Sequence, residues 1–455
     1  MIDAIQRSSH LFNSRNKDVK EYGEVLQDIQ AYMSKQHADL FMGAVSEEKE
    51  QLIRKYIHYY IAEQHIAVKE MDEEQLADAL YKEMAEYSFL TAYLKRDDVE
   101  EINVNAWNDI EVQYSDGRYE KLQETFASPQ HAINVMRRML HISGMVLDNS
   151  SPAILGHLSK NIRIAVLKTP IVDEDVGVTA SIRIVNPKKL SEEDFILNHT
   201  AIKEELDLLR ILLRYGISIC VAGSTNSGKT TLSGWMLSTL PNQKRIFTIE
   251  DGSRELSAVK KEDGRIKNSV IHTITRKSEN EKMDIDQESL LDVSLRYDPD
   301  VICVGEMRSS EAYTAQEAAR TGHTVLTTIH SNSCEATYRR MVTLCKRKYD
   351  IDDETLFDLV TEAFPVIVFV KQLENKERKI MEIMECCIHP DGKREFHTLY
   401  QYQITSNEIK DGRYVIQGAH TKVQDISSGL AKRLRENGIP HELLMSLMEK
   451  EGEVS

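Results

Sequence analysis

Nowhere in its 455 residues does the chain hold an apolar run near the roughly 18 that a membrane-spanning helix needs. The best stretch, residues 211–222, is interrupted by Arg214 and has the length of a buried strand. Met1-Ile2-Asp3 opens the chain without a basic segment followed by an apolar one, so no secretory signal is expected. The six cysteines (Cys220, Cys303, Cys334, Cys345, Cys386, Cys387) show no CxxC pairing, which speaks against a zinc ribbon or a disulfide framework. They are expected as buried, reduced thiols in apolar segments. A basic excess is missing too: the formal charge of -16 argues against a general nucleic-acid binder. These absences predict a cytoplasmic protein, peripheral where it meets a membrane complex.

What is present calls for several domains, because one core rarely serves a chain of this length. Residues 1–85 read as a helical N-terminal region. Leu52, Ile53, Tyr56, Ile57, Tyr60 and Ile61 share one helix face, and Asp72 with Gln75 forms a capping box before Leu76, Leu80 and Met84. Residues 86–186 read as a small α/β domain, with a Ser115-Asp116-Gly117 hairpin turn, a helix carrying Ile133, Met136, Met139 and Leu140, and strands over 162–167 and 178–185. Asn186-Pro187-Lys188-Lys189 opens a linker over 187–198. The near-continuous apolar runs at 217–222, 245–249, 301–304 and 324–329 predict a parallel sheet covered on both faces, within a core spanning 199–372. Residues 263–284 are largely polar and read as a mobile loop beside it. Residues 373–455, with an Asp391-Gly392 hairpin turn, read as an appended β/α region.

The sharpest motif is Gly223-Ser224-Thr225-Asn226-Ser227-Gly228-Lys229-Thr230, followed by Thr231. A strand precedes it and a helix, stopped by Pro241, follows. Glycines let backbone N–H groups converge on phosphates, and the helix N-terminus adds its positive end. Lys229 is positioned to neutralise phosphate, and the Thr230 hydroxyl to ligate Mg²⁺. Asn226 stands where glycine is common, and Asn tolerates the left-handed conformation.

Two further strands end in acids. Val301-Ile302-Cys303-Val304-Gly305-Glu306 aims Glu306 at the metal or its water, and Ile246-Phe247-Thr248-Ile249-Glu250-Asp251 offers either a proton acceptor or solvated turn acids. Thr327-Thr328-Ile329-His330-Ser331-Asn332-Ser333 places His330 just past a strand, seven residues after His323. Ligands bind at that end of α/β sheets.

In this order the boxes resemble those of the secretion ATPases, closest to the branch serving tight-adherence pili and conjugative type IV secretion. Leu147-Asp148-Asn149-Ser150-Ser151-Pro152, Asn161-Ile162-Arg163-Ile164 and Ser181-Ile182-Arg183 resemble that branch's N-terminal domain. The resemblance implies a RecA-like P-loop NTPase domain preceded by a small α/β domain, ATP and Mg²⁺ at the site, Glu250 as catalytic base, Glu306 supporting the metal and His330 sensing the γ-phosphate. It implies that Arg163 and Arg183 reach the nucleotide. It further implies a homohexameric ring working on an inner-membrane platform or secretion channel, with no direct nucleic acid. Other readings are a RecA-like motor acting directly on nucleic acid, or a nucleotide-gated docking subunit with little turnover.

Overall fold

A computed structural model describes residues 18–37, 40, 47–115, 117–141, 144–159, 161–185, 190–276, 283–410 and 413–448. The expected linker residues 186–189 and the turn residue Asp116 lie outside them. The chain divides into two compact units, Met1–Asn186 and Pro187–Ser455. Among the described residues no helix is long and apolar enough to cross a membrane.

The first unit opens with helices α1 (Tyr22–Gln36), α2 (Glu47–Glu63) and α3 (Glu73–Ala85), beside the short parallel pair β1 (Asp18–Lys20) and β2 (Ile66–Val68). Ile53, Ile57, Ile61, Leu76, Leu80 and Met84 are buried together, as their spacing requires, while Leu52 stays exposed. The capping box forms: Asp72 accepts from Gln75 N at 2.8 Å, and Gln75 accepts from Asp72 N at 3.0 Å. After α4 (Leu90–Leu94) come β3 (Val99–Ala106), β4 (Asp109–Tyr114), β5 (Tyr119–Lys121), α5 (Pro129–His141), β6 (Ala153–Ser159), β7 (Ile162–Lys168) and β8 (Val178–Ile184). The sheet runs β5-β4-β3-β8-β7-β6, antiparallel throughout. Its inward positions, such as Ile102, Val112, Ile164, Val166 and Ile182, pack with Val135, Met136 and Met139 of α5. Strand β6 was not anticipated: its exposed Leu155, its glycine and its polar positions blur the alternation.

The second unit is built on a nine-stranded sheet. Its elements are α6 (Glu192–Leu197), α7 (Lys203–Arg214), β9 (Ile219–Gly223), α8 (Lys229–Thr239), β10 (Arg245–Glu250), a small hairpin of β11 (Lys261–Glu262) and β12 (Arg265–Ile266), β13 (Ser269–Ile274), α9 (Gln287–Ser294), β14 (Val301–Met307), α10 (Glu311–Arg320), β15 (Thr324–Ile329), α11 (Cys334–Cys345), α12 (Asp353–Ala363), β16 (Val366–Gln372), β17 (Arg378–Ile388), β18 (Arg394–Lys410), β19 (Arg413–Lys422), α13 (Ser428–Glu436) and α14 (His441–Met448). The order is β13-β10-β14-β15-β9-β16-β17-β18-β19, parallel as far as β16 and antiparallel beyond. Alternate residues serve opposite cores. Val301 and Cys303 pack with α7 and α8, whereas Ile302 and Val304 pack with α10, α11 and α12. This two-sided covering explains why those strands are near-continuously apolar. It is the RecA-like α/β arrangement.

The stretch read as a mobile loop is a correction. Ser269–Ile274 is an edge strand, paired in parallel with all of β10. An edge strand needs no apolar run, so half-buried His272 and Thr273 disguised it. Downstream of 373, β17, β18 and β19 continue the same sheet rather than forming another, through a hairpin turn at Gly392 (φ 85°). All six cysteines are buried.

Candidate functional site

Four neighbouring parallel strands, β10, β14, β15 and β9, end at the same sheet edge, where the crevice of an open α/β sheet receives its ligand. The phosphate loop leaves β9, Glu250 ends β10, Glu306 lies near the end of β14, and His330 follows β15. Topology thus gathers residues more than one hundred positions apart.

The loop is tightly determined. At Gly223 a Cβ would stand 2.2 Å from the Val370 carbonyl oxygen and 2.6 Å from Ser227 Oγ. Asn226 takes φ 59° and Gly228 φ 95°, so the asparagine does adopt the left-handed conformation. Ser227 Oγ donates to the Ser224 carbonyl at 2.8 Å. Lys229, 7% exposed, donates to the Gly223 and Ser224 carbonyls at 3.1 and 2.7 Å. Its ammonium is held over the loop by weak neutral acceptors that a phosphate would outcompete. Lys229, Thr230 and Thr231 form the first turn of α8. Beside the loop, Ser224, Thr225, His330, Ser331, Asn332, Ala336 and Arg340 line a cleft of about 450 Å³.

Glu250 is the most perturbed acid here. It is 3% exposed. Its Oε1 accepts from Glu255 N and Leu256 N at 2.6 and 2.8 Å, while Oε2 has no partner. Burial pushes its carboxyl up to about 7, against the opposing pull of those two amides. His272 Nδ1 lies 4.0 Å from Oε2 and shares a 2.7 Å hydrogen bond with Thr248 Oγ1. Burial lowers that histidine to about 4, so it is neutral. Glu250 is thus not a solvated turn acid, whereas Asp251, its side chain 46% exposed, is.

Glu306 sits in a β-bulge: Gly305 and Glu306 together face the single residue Thr328 between the pairs Val304–Thr327 and Met307–Ile329. Bulges re-aim side chains, and Thr328 Oγ1 pins this one by donating to the Gly305 carbonyl at 2.7 Å. A Cβ on Gly305 would stand 3.3 Å from Glu250 Cγ, so glycine lets the two acid strands close up. Arg308 bridges them, donating to Glu306 Oε2 at 2.7 Å and to Asp251 Oδ2 at 3.2 Å. His330 Nε2 lies 3.0 Å from Glu306 Oε1, an atom that accepts no hydrogen bond. Burial, then the charge of Lys229, lowers the His330 pKa.

Among the described residues no group of three His, Cys, Asp or Glu could hold a metal. Mg²⁺ is bound through few protein oxygens plus substrate phosphates and water. The Thr230 hydroxyl and the Glu306 carboxylate are hard donors of the right kind.

Arg163 and Arg183 lie in the first unit, directly opposite one another on β7 and β8. Glu101 faces Arg183 from β3, and His157 faces Arg163 from β6. The sheet's register thus sets the two arginines side by side on the face away from α5. The sequence alone assigns no role to Arg308, Arg340, Arg378 or His272. Only Arg308 left a local signal, two residues after Glu306.

A family profile described as Type II/IV secretion system protein matches residues 148–438, well over half of the chain. The conjugal transfer protein TrbB of Rhizobium radiobacter is 27% identical over 276 residues, covering 59% of this chain and 77% of that protein. Protein VirB11 of the same organism is 29% identical over 187 residues, 40% of this chain and 51% of that protein, so the match spans about half of VirB11's length. Among solved structures, the Legionella pneumophila ATPase DotB aligns over 78% of this chain and 85% of its own, at 17% identity and a TM-score of 0.47. The Brucella suis VirB11 ATPase aligns over 65% and 95%, at 22% identity and a TM-score of 0.33. With a phosphate loop, two acidic strands and a histidine at one edge of a parallel sheet, and with that extent of profile match, the chain belongs to the type II/IV secretion system protein family.

Proposed function

We propose that the chain is an ATP-hydrolysing motor subunit of a type IV secretion, conjugation or pilus-assembly machine. In this reading it works as a homohexamer at the cytoplasmic face of the membrane. The observation that carries it is Glu250: a carboxyl buried at the phosphate-loop edge, with one oxygen held by two amides and the other unpartnered. A general base is most effective when its pKa lies near the working pH, and this one is about 7.

The loop from Gly223 to Thr231 cradles the phosphates with its N–H groups, and Lys229 exchanges two carbonyls for phosphate oxygens. Thr230 and Glu306 would hold Mg²⁺, which would supply charge neutralisation at the phosphates. Glu250 orients the attacking water and takes its proton at Oε2. His330 reports the terminal phosphate to Glu306 across their 3.0 Å contact. Arg163 and Arg183 serve as phosphate-binding arginines, a task suited to a planar, permanently charged fork.

The test is binding of a fluorescent ATP analogue by the full chain, with Lys229→Ala beside it. Wild type should bind and Lys229→Ala should lose at least tenfold in affinity, about 1.4 kcal/mol. Equal binding by the two would sink the assignment.

A further inference from the structure

The phosphate loop is braced by a strand far along the chain. Arg378, the first residue of β17, donates its Nε to the Asn226 carbonyl oxygen at 2.9 Å, across 152 residues of sequence. Its stem covers Gly228, where an added Cβ would stand 3.2 Å from Arg378 Cδ. The contact falls where the loop is least at ease: Asn226 is a non-glycine residue at φ 59°, with Gly228 at φ 95° two residues on.

The direction of that hydrogen bond has a consequence for the site. A trans peptide is planar, with its C=O and N–H pointing opposite ways. Holding the Asn226 oxygen towards β17 therefore aims the Ser227 N–H to the other side. Residues that alternate between left- and right-handed conformations gather successive N–H groups into an anion-binding concavity. A rotation of the Asn226–Ser227 peptide would break that concavity by presenting a carbonyl where an N–H is needed. A charged donor holds the carbonyl more firmly than a neutral one.

We propose that Arg378 is a positioning residue of the nucleotide site, fixing the Asn226–Ser227 peptide in its anion-receiving orientation before substrate arrives. This rests on the ATP-binding reading above. Arg378 touches the loop's carbonyl rather than the reacting atoms, so it governs affinity and not the chemical step.

The experiment uses the full chain. Arg378→Met keeps the stem over Gly228 and removes the donor; Arg378→Lys keeps a charged donor on a long stem. Fluorescent ADP and ATP affinities are measured with the KM and kcat for ATP and the unfolding midpoint. Arg378→Met should weaken both nucleotides about tenfold, the size of one hydrogen bond from a charged donor, and raise KM to match. Saturated kcat and the midpoint should be nearly unchanged, and Arg378→Lys should recover most of the loss. Unchanged affinity in Arg378→Met would overturn the proposal. So would a much larger loss for ATP than for ADP, which would put the guanidinium at the terminal phosphate. A joint fall of kcat and midpoint would assign it a structural role instead. If wild type and Lys229→Ala alike bind no nucleotide, the ATP-site reading itself fails, a result separable from failure of Arg378 alone.

Discussion

Replacing Glu250 by glutamine should cripple the site and yet steady the fold, and the balance should depend on pH. In the folded chain the carboxyl is pushed from 4.5 to about 7 by burial. At about 1.4 kcal/mol per unit, keeping it ionised costs the native state about 3 kcal/mol. The sign follows from proton counting. Below pH 4.5 both folded and unfolded chains hold the proton, and no penalty exists. Between 4.5 and about 7 only the folded chain holds it, so stability falls as pH rises. Above about 7 the full penalty is in place. Glutamine keeps the oxygen that accepts from Glu255 N and Leu256 N but never ionises. The stability difference, Glu250→Gln minus wild type, should therefore grow by about 2–3 kcal/mol between pH 5 and pH 8. In a unit of this size that corresponds to roughly 5–10 °C in midpoint. Thermal unfolding of the two proteins at both pH values is the assay. A difference that is the same at pH 5 and pH 8 would show an ordinary carboxyl and remove the physical basis for its role.

The same ionisation should appear in turnover. kcat/KM for ATP should rise with pH as a single proton is lost near pH 7, because the base works only when deprotonated, and a flat profile from pH 6 to 8 would contradict this. Gly305→Ala pushes a methyl against Glu250 Cγ and the Ile249 carbonyl, both at 3.3 Å, so turnover should fall roughly tenfold or more while nucleotide affinity holds. Steady-state kinetics with a binding titration separates the two effects. Gly223→Ala places a Cβ 2.2 Å from the Val370 carbonyl and should cost roughly 3 kcal/mol or more, read by urea unfolding, along with nucleotide binding.

Much of the second unit's plan was written locally. The run Val301-Ile302-Cys303-Val304 is apolar at every position because successive residues feed two different cores, and that pattern needs no long-range information. The phosphate loop and the Asp72–Gln75 box are local for the same reason. The site's supports were not. Arg378 meets Asn226 across 152 residues, and nothing near Arg378 signals it. His272 reaches Glu250 only because β13 pairs with β10, and β13 is a short edge strand, its apolar run broken by His272 and Thr273, within a largely polar stretch that reads as a loop. The bulge that re-aims Glu306 appears in sequence only as a glycine before an acid. Its cause, the close approach of Glu250, belongs to the neighbouring strand.

The central claim is that this sheet edge hydrolyses ATP with Glu250 as its base. The direct measurement is steady-state phosphate release from Mg²⁺-ATP by wild type and Glu250→Gln, each assembled and saturated with nucleotide. The account predicts that the variant binds ATP as wild type does and turns it over about 10²–10⁴-fold more slowly, the usual worth of a general base. Equal rates in the two proteins, with binding intact, would contradict it.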